Sequence, residues 1–165
     1  NNPPGERLWA PWRIEYIRGI KEGECFICDK AKDGGNDGDN LIIARGQTSF
    51  LLLNLYPYNS GHVLVAPYRH VADITELTEE ELNEMMQMTV RMKKVMAEMM
   101  RPDGFNFGFN LGAAAGAGIK DHVHGHLVPR WVGDTNFMPV IGDTRVVPEA
   151  LAETARILRE AWNAE

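Results

Sequence analysis

The stretch His122-Val123-His124-Gly125-His126-Leu127-Val128 decides the fold, because it places a histidine at every second position. Side chains of a β-strand alternate between its two faces, so the three imidazoles leave one face at steps of about 6.6 Å. Val123 and Leu127 leave the opposite face. In a helix the same histidines would spread over much of the circumference. The alternation therefore predicts a strand with an imidazole face and an apolar face.

Three histidines on one face favour a chemical role over a structural one. A single histidine is most often a hydrogen-bonded core or surface residue, but three neighbouring rings compete for protons and space. Two chemistries suit the row: metal ligation by neutral imidazoles, and nucleophilic catalysis with flanking donors that hold an anion. Because adjacent rings on a strand diverge, we expect the three histidines to divide these tasks.

The residues on either side of this strand predict an α+β fold. Apolar runs predict three earlier strands, over residues 41–44, 49–55 and 61–67, and alternation predicts a fourth over 105–111. The histidine stretch, about residues 122–128, is the fifth. Together they predict a five-stranded antiparallel sheet with one long helix on one face.

Three helices accompany the predicted sheet. The longest begins at Thr78, which forms a capping box with Glu81, and ends before Pro102. Mostly apolar side chains along one face are expected to pack on the sheet: Leu82, Met85, Met86, Thr89, Met92, Met96 and Met99. A short amphipathic helix is predicted over residues 9–20, and a C-terminal helix begins at Pro148.

The composition fits one globular domain and excludes several classes of function. The chain has 165 residues, 44% of them apolar and 24% charged, with a formal net charge of −6. An acidic chain without Lys/Arg blocks is a poor ligand for nucleic-acid polymers. No apolar run approaches the roughly 20 residues of a membrane span, and no export leader opens the sequence. We therefore expect a single cytoplasmic domain over residues 1–165, with neither nucleic acid nor membrane as partner.

Cys25 and Cys28 are the only cysteines and form a CxxC pair. One pair cannot build a disulfide framework, so it indicates either metal binding or redox chemistry. The strand-then-helix context of a thioredoxin-like redox pair is not apparent around it. Metal binding is therefore favoured, and a tetrahedral site would need two further ligands.

The chain resembles the histidine triad (HIT) superfamily of nucleotidyl hydrolases and transferases over roughly residues 9–147. Residues 148–165 form the C-terminal helix beyond this resemblance. The sequence after the triad is similar to the bacterial branch of diadenosine tetraphosphate phosphorylases. Besides the triad, the resemblance rests on Asn54 with Gly61-His62, Pro67-Tyr68-Arg69-His70, Asn110 with Ala115-Gly116, Val128-Pro129-Arg130-Trp131 and Gly133-Asp134-Thr135-Asn136-Phe137.

The resemblance implies which residues carry the reaction. His124 would be the nucleophile, attacking the α-phosphorus of an adenine dinucleoside polyphosphate to form a covalent nucleotidyl-histidine. A backbone carbonyl would hold its other ring nitrogen. His126 and His62 would steady the charge on the phosphate oxygens. The implied substrate-binding residues are Asn54, Asn110, Gly116 and Gly118.

The resemblance also completes the metal site and implies an assembly. HIT branches that keep the CxxC pair close the site with two histidines, which here are His70 and His122. Together with Cys25 and Cys28 they would hold a structural zinc ion without an open position for catalysis. The family also implies a homodimer with a continuous sheet.

Several positions bear on the subclass. His126 stands where the uridylyltransferase branch has Gln, which favours hydrolysis or phosphorolysis. The loop Ala117-Gly118-Ile119 lacks the Ser of phosphorylase-like relatives, which favours water over phosphate as acceptor. Gly125 replaces a bulkier residue, so we expect a weakened strand with open room beneath it. A local positive field is expected from three cations: Arg130, Lys120 and Arg69.

Three other functions are open at this point. The chain could be a nucleoside phosphoramidate hydrolase of the same superfamily, or a non-catalytic nucleotide- or partner-binding module on the same fold. It could also be a metal-dependent hydrolase whose triad holds an ion with an open position. A labelled His124 would exclude the binding module, and chelation would test the metal-dependent hydrolase.

Overall fold

The computed structural model describes residues 25–55, 57–115, 122–134 and 151–164. The predicted helix over 9–20, Lys120, the substrate-binding candidates Gly116 and Gly118, and the predicted helix start at Pro148 lie outside these residues. The described elements are α1 (Phe26–Lys32), β1 (Ile42–Arg45), β2 (Ser49–Leu53), β3 (Val63–Pro67), α2 (Glu79–Met100), β4 (Gly104–Phe109), β5 (Gly125–Arg130) and α3 (Leu151–Ala164). Short 3-10 turns cover Ile74–Glu76 and Ala113–Ala115.

The strands form one antiparallel sheet in the order β1-β2-β3-β5-β4, which confirms the α+β prediction. The histidine strand β5 pairs with β3 on one side and β4 on the other. His126 lies opposite Leu64 of β3 and Gly108 of β4. The strand that carries the candidate chemistry is therefore held by hydrogen bonds from two neighbours.

The two faces of the sheet pack against different helices. Val63 and Val65 share one core with Val123, Leu127 and the methionines of α2. On the opposite face, a second core is built around α1 by Ile27, Ile42, Phe50, Leu52, Leu64 and Ala66. This division is the one the histidine stretch predicts, because side chains on the alternate positions of a strand face opposite ways.

The histidine strand begins later than predicted, at Gly125 rather than His122. Residues 122 and 123 bond instead to the end of β3 and to the chain that follows it. The Val123 amide donates to the carbonyl of Val71 over 2.7 Å, and a ring nitrogen of His122 lies 2.9 Å from the carbonyl of Pro67. The first two histidines therefore precede the sheet pairing, although Val123 keeps the inward orientation expected of a strand.

The long helix α2 is present, but its buried face is rotated from the predicted one. The buried side chains are Glu81, Met85, Met88, Thr89, Met92, Val95 and Met96. Leu82, Met86 and Met99 are exposed. The expected capping box is formed: the Glu81 amide donates to Thr78 Oγ1 over 3.2 Å, and the Thr78 amide donates to Glu81 Oε2 over 2.8 Å.

The expected room beneath Gly125 is filled. A Cβ atom at this position would lie 2.9 Å from Val65 Cγ1, and 3.2 Å from ring carbons of Phe107 and Phe109. The glycine therefore admits neighbouring side chains close to the backbone of β5. The prediction failed because it considered the strand alone and not the side chains of β3 and β4.

Candidate active site and metal centre

A cluster of two cysteines and two histidines lies at the beginning of the triad. The ligand atoms of Cys25, Cys28, His70 and His122 all lie within 4.8 Å of one another. Nδ1 of His122 is 3.3 Å from each sulfur, and Nδ1 of His70 is 3.3 Å from the Cys28 sulfur. The structure thus brings together the four residues that the sequence analysis assigned to a metal.

The two cysteines are presented by a helix, α1, that the sequence pattern does not predict. Cys25 is the N-cap residue of α1, and Cys28 follows in its first turn, so both sulfurs reach the same point. Ile27, buried between them in sequence, anchors this short helix in the second core. A helix of seven residues gives little periodic signal, and its anchoring depends on packing that the sequence does not display.

The tautomer of His122 suits metal binding. Nε2 of His122 donates to the carbonyl of Pro67, so Nδ1 carries a lone pair directed at the sulfurs. Burial lowers the pKa of His122 to about 4, which keeps the imidazole neutral. Burial and the neighbouring Cys25 raise the pKa of Cys28 to about 11, and a bound cation would reverse that preference. Cys25 and His122 are buried, Cys28 is half-buried and His70 is exposed, and this set of two thiols and two imidazoles fits a tetrahedral metal ion.

The metal cluster is joined to the candidate nucleophile through the backbone of His122. Nδ1 of His124 donates to the carbonyl of His122 over 2.8 Å. This is the carbonyl contact expected from the sequence, and it leaves the lone pair of His124 on Nε2. The His124 side chain is 7% exposed, so little freedom is left to the ring.

A second chain of hydrogen bonds fixes the protons of His62 and His126. The Tyr58 amide donates to Nδ1 of His62 over 3.0 Å, and the Asn54 amide nitrogen lies 3.2 Å from the same atom. Nδ1 of His62 is therefore an acceptor, and Nε2 carries the proton. Nε2 of His62 lies 3.0 Å from Nδ1 of His126, which places the proton of His126 on its Nε2.

These rings form one continuous group at the start of β5. The ring centroids of His124 and His126 are 4.8 Å apart, and those of His62 and His126 are 5.2 Å apart. His62 is completely buried at the head of β3. Of the three residues assigned to catalysis, His126 thus contacts both of the others, and hydrogen bonds already fix the lone pair of His124 and the proton of His126.

A pocket of about 510 Å³ lies beside His126, on the sheet face opposite α2. Asn106, Gly108 and Asn110 line it from the β4 side, and Val128 and Arg130 line it from β5. Asn110, a predicted substrate-binding residue, therefore borders the pocket. Asn54 is not among the lining residues and instead contacts His62.

Tyr58 is a pocket residue that the sequence analysis missed. Its ring stacks on His62 with centroids 4.9 Å apart and an angle of 19° between the planes. Only its position four residues before His62, in the turn between β2 and β3, could have indicated this role.

The expected positive field is largely neutralised. Arg69 pairs with Glu81 over 2.7 Å, and Arg130 pairs with Asp134 over 2.6 Å. Both carboxylates are well buried, so the ion pairs are built into the fold. Anion binding at this site therefore depends on local donors more than on net charge.

Comparison with known proteins places these features in a family. The profile of the HIT domain matches residues 37–132. The AP-4-A phosphorylase of Mycobacterium tuberculosis is 40% identical over 164 residues, which cover 95% of this chain and 84% of that protein. The bis(5'-adenosyl)-triphosphatase of Dictyostelium discoideum is 39% identical over 89 residues, which cover 54% of this chain and 59% of that protein.

A solved structure shares the architecture. A Zn-bound histidine triad family protein from Mycobacterium smegmatis aligns with a TM-score of 0.67 and 29% identity, covering 86% of this chain and 94% of that one.

None of the helices in the described part of this chain is long and apolar enough to cross a membrane.

Proposed function

The chain belongs to the HIT domain family, and we propose that it cleaves dinucleoside polyphosphates such as diadenosine tetraphosphate through a nucleotidyl-histidine intermediate. The observation that carries the proposal is the 2.8 Å contact between Nδ1 of His124 and the carbonyl of His122. It leaves an unprotonated Nε2 on a ring that neighbouring residues hold in place. An imidazole in this state is a ready nucleophile.

In the first step, Nε2 of His124 forms a bond to the α-phosphorus while the bond from that phosphorus to the bridging oxygen breaks. For diadenosine tetraphosphate, ATP leaves and an adenylyl group stays on the ring. In the second step, an acceptor attacks the same phosphorus and the phosphorus–nitrogen bond breaks. Water as acceptor yields AMP, and inorganic phosphate yields ADP. Each of the two displacements at phosphorus has a lower activation barrier than a single direct displacement would have.

His126, supported by His62, stabilises the negative charge that develops on the phosphate oxygens. The chain from the Tyr58 amide through His62 places a proton on Nε2 of His126. This N–H is the donor for an oxygen of the transferred phosphate group. We assign Asn110 to the same oxygens, because it borders the pocket beside His126. From the family resemblance we assign Asn54 to the ribose, and Gly116 and Gly118 to the phosphates.

Cys25, Cys28, His70 and His122 would hold a zinc ion, which supplies structural cross-linking of α1 to the triad. The similarity to a zinc-bound family member supports this identity of the metal. Because all four ligands come from the protein, the site is of the structural kind. The backbone carbonyl of His122, one of the four clustered residues, accepts a hydrogen bond from His124 and so orients its ring.

We further propose a single-domain homodimer located in the cytoplasm. The strand β4 ends the sheet on one side, and its apolar side chain Phe107 is exposed. Pairing of two β4 strands would continue the sheet and satisfy this open edge. A reducing compartment would keep Cys25 and Cys28 available as metal ligands.

Product analysis tests the proposed function. The protein is incubated with diadenosine tetraphosphate, with and without inorganic phosphate. ATP with AMP in the absence of phosphate identifies hydrolysis, and ATP with ADP only when phosphate is present identifies phosphorolysis. The 40% identical relative named AP-4-A phosphorylase favours the second outcome. No turnover under either condition, with nucleotide binding retained, would contradict the proposal and leave a binding module.

A further inference from the structure

The pocket beside His126 is lined from β4, from β5 and from Tyr58, and Asn54 is not among its lining residues. On β5, Arg130 follows His126 by four residues, which corresponds to about 13 Å along the strand. Both side chains line the pocket, as does Tyr58. A substrate bound at His124 through its α-phosphorus could therefore extend from His126 toward Arg130. Asn54, which we assign to the transferred nucleoside, contacts His62 instead of lining this pocket.

The wall of the pocket offers an aromatic surface. Tyr58 stacks on His62 through one face of its ring and is 48% exposed overall. His62 is buried and bonded to His126, so the ring of Tyr58 rests on a fixed support. An aromatic ring held in this way is a suitable platform for a nucleobase.

The far end of the pocket carries a guanidinium in a fixed orientation. Nε of Arg130 donates to Oδ2 of Asp134 over 2.6 Å, and Nη2 donates to Oδ1 over 2.8 Å. Nη1 donates to Oδ1 of Asn106 over 2.8 Å. The Arg130 side chain is nevertheless 42% exposed. Asp134 lines the pocket as well and offsets the charge of Arg130, so the guanidinium would act on a phosphate as an oriented donor and not through a net positive field.

The floor of the pocket is open at Gly108, beside His126. Gly108 lies opposite His126, and a Cβ atom built on it would meet no atom within 4 Å. Any side chain at this position would therefore occupy the pocket. The volume of about 510 Å³ is in the range of small-molecule sites, which run from roughly 300 to 1,000 Å³.

We propose that this pocket binds the leaving nucleotide, with its phosphates directed from His126 toward Arg130 and its base packed on Tyr58. The inference rests on the proposed function, since it assigns the second half of the same substrate. It makes Tyr58 and Arg130 specificity determinants, which select dinucleoside polyphosphates over substrates with small leaving groups.

Two substrates with the same transferred group test this subsite. Diadenosine tetraphosphate releases ATP, whereas adenosine 5′-phosphoramidate releases ammonia and reaches no part of the pocket beyond His126. For Gly108→Val and Tyr58→Leu, we expect the ratio of kcat/KM for the tetraphosphate to that for the phosphoramidate to fall about tenfold, the scale of one base–aromatic contact. Gly104→Val is the matched control, because it lies on the same strand, also has open space and does not line the pocket.

An unchanged ratio in Gly108→Val and Tyr58→Leu would overturn the subsite, even if the tetraphosphate is cleaved. If the unmodified protein cleaves the phosphoramidate but not the tetraphosphate, the proposed function fails instead. Should Gly108→Val not fold, Arg130→Met and Arg156→Met provide a second comparison. Both arginines pair with carboxylates, but Arg156 lies on α3 outside the pocket, so only the Arg130 variant should lower the ratio.

Discussion

The two ends of the triad use the same side chain in opposite ways. His122 donates from Nε2 to a backbone carbonyl and presents a lone pair to two cysteines. His126 accepts from His62 at Nδ1 and carries its proton on the other nitrogen. The chemical role of each imidazole is therefore set by the neighbour that fixes its tautomer, and not by its place in the repeat.

His124 lies between these two ends and depends on both. The backbone carbonyl of the metal-side histidine holds one of its nitrogens, and the ring of the phosphate-side histidine packs against it. We call Cys25, Cys28, His70 and His122 the metal end and His62 with His126 the phosphate end, after their proposed roles. We expect a substitution at the metal end to lower activity by destabilising the fold, and one at the phosphate end to lower activity with little change in stability. Four substitutions sharpen or break this division.

His124→Gln should have the largest effect on activity. If His124 is the nucleophile, its removal should lower kcat for diadenosine tetraphosphate by about 10⁴-fold or more. Bound zinc and thermal stability should stay close to those of the unmodified protein, because His124 is not one of the clustered ligands. Retention of substantial turnover, or absence of acid-labile label on the unmodified protein, would contradict a covalent intermediate.

Cys28→Ser should damage the metal end and, through it, the fold. Loss of one ligand should abolish stoichiometric zinc and lower the free energy of unfolding by about 3 kcal/mol or more, or roughly 10 °C in Tm. Metal analysis and thermal unfolding measure both effects, and a chelator should reproduce them in the unmodified protein. If chelation instead stops turnover without changing stability, and added metal restores it, the metal takes part in the chemistry and the division is wrong.

His126→Gln should damage only the phosphate end. Loss of the imidazole that receives the bond from His62 should lower kcat by about 10² to 10³-fold, the usual scale for one oxyanion donor. Zinc content and Tm should change little, in contrast to Cys28→Ser. A variant that loses zinc to the same extent would show that the two ends are not separate.

Glu81→Gln should have the smallest effect of the four, a small decrease in the free energy of unfolding. Glu81 pairs with Arg69, which precedes the proposed ligand His70 in the sequence. Arg69 and the Thr78 amide hold the pKa of Glu81 at about 2, below its usual 4.5. The ionised form therefore stabilises the fold above pH 4.5, and this contribution is lost as the pH falls from 4.5 toward 2.

At pH 7 the expected loss for Glu81→Gln is roughly 1 kcal/mol, because Arg69 is half exposed and solvent screens the pair. Chemical denaturation at pH 7 and pH 3 measures it, with the difference from the unmodified protein shrinking at the lower pH. Glu80→Gln, an exposed neighbour in the same turn, is the control. An equal loss at both pH values would exclude the ion pair as its cause.

The sequence was sufficient for the features that depend on local periodicity. Alternation placed Val123 and Leu127 in the core and His126 on the other face. The capping box fixed the start of α2, because its hydrogen bonds join residues only three positions apart. The grouping of the CxxC pair with His70 and His122, which are far from it in sequence, came from the family resemblance and not from spacing.

The features that were missed depend on contacts between distant segments. Whether room exists beneath Gly125 is decided by Val65, Phe107 and Phe109, and no local pattern reports their rotamers. The rotation of the buried face of α2 depends on how the helix lies across the sheet. Tyr58 was missed because its role arises from stacking on His62, a contact made within a turn that has no periodic pattern.

The position of β5 between β3 and β4 has a consequence for synthesis on the ribosome. A nascent chain that has emerged only through β4 lacks the strand that bridges the two halves of the sheet. Until residues 125–130 emerge, β3 and β4 each have an edge that their later neighbour will cover, and such edges invite pairing with other chains. Assembly of the sheet is thus completed by the segment that carries His126 and directly follows His124, so we expect a chain truncated before it to be inactive.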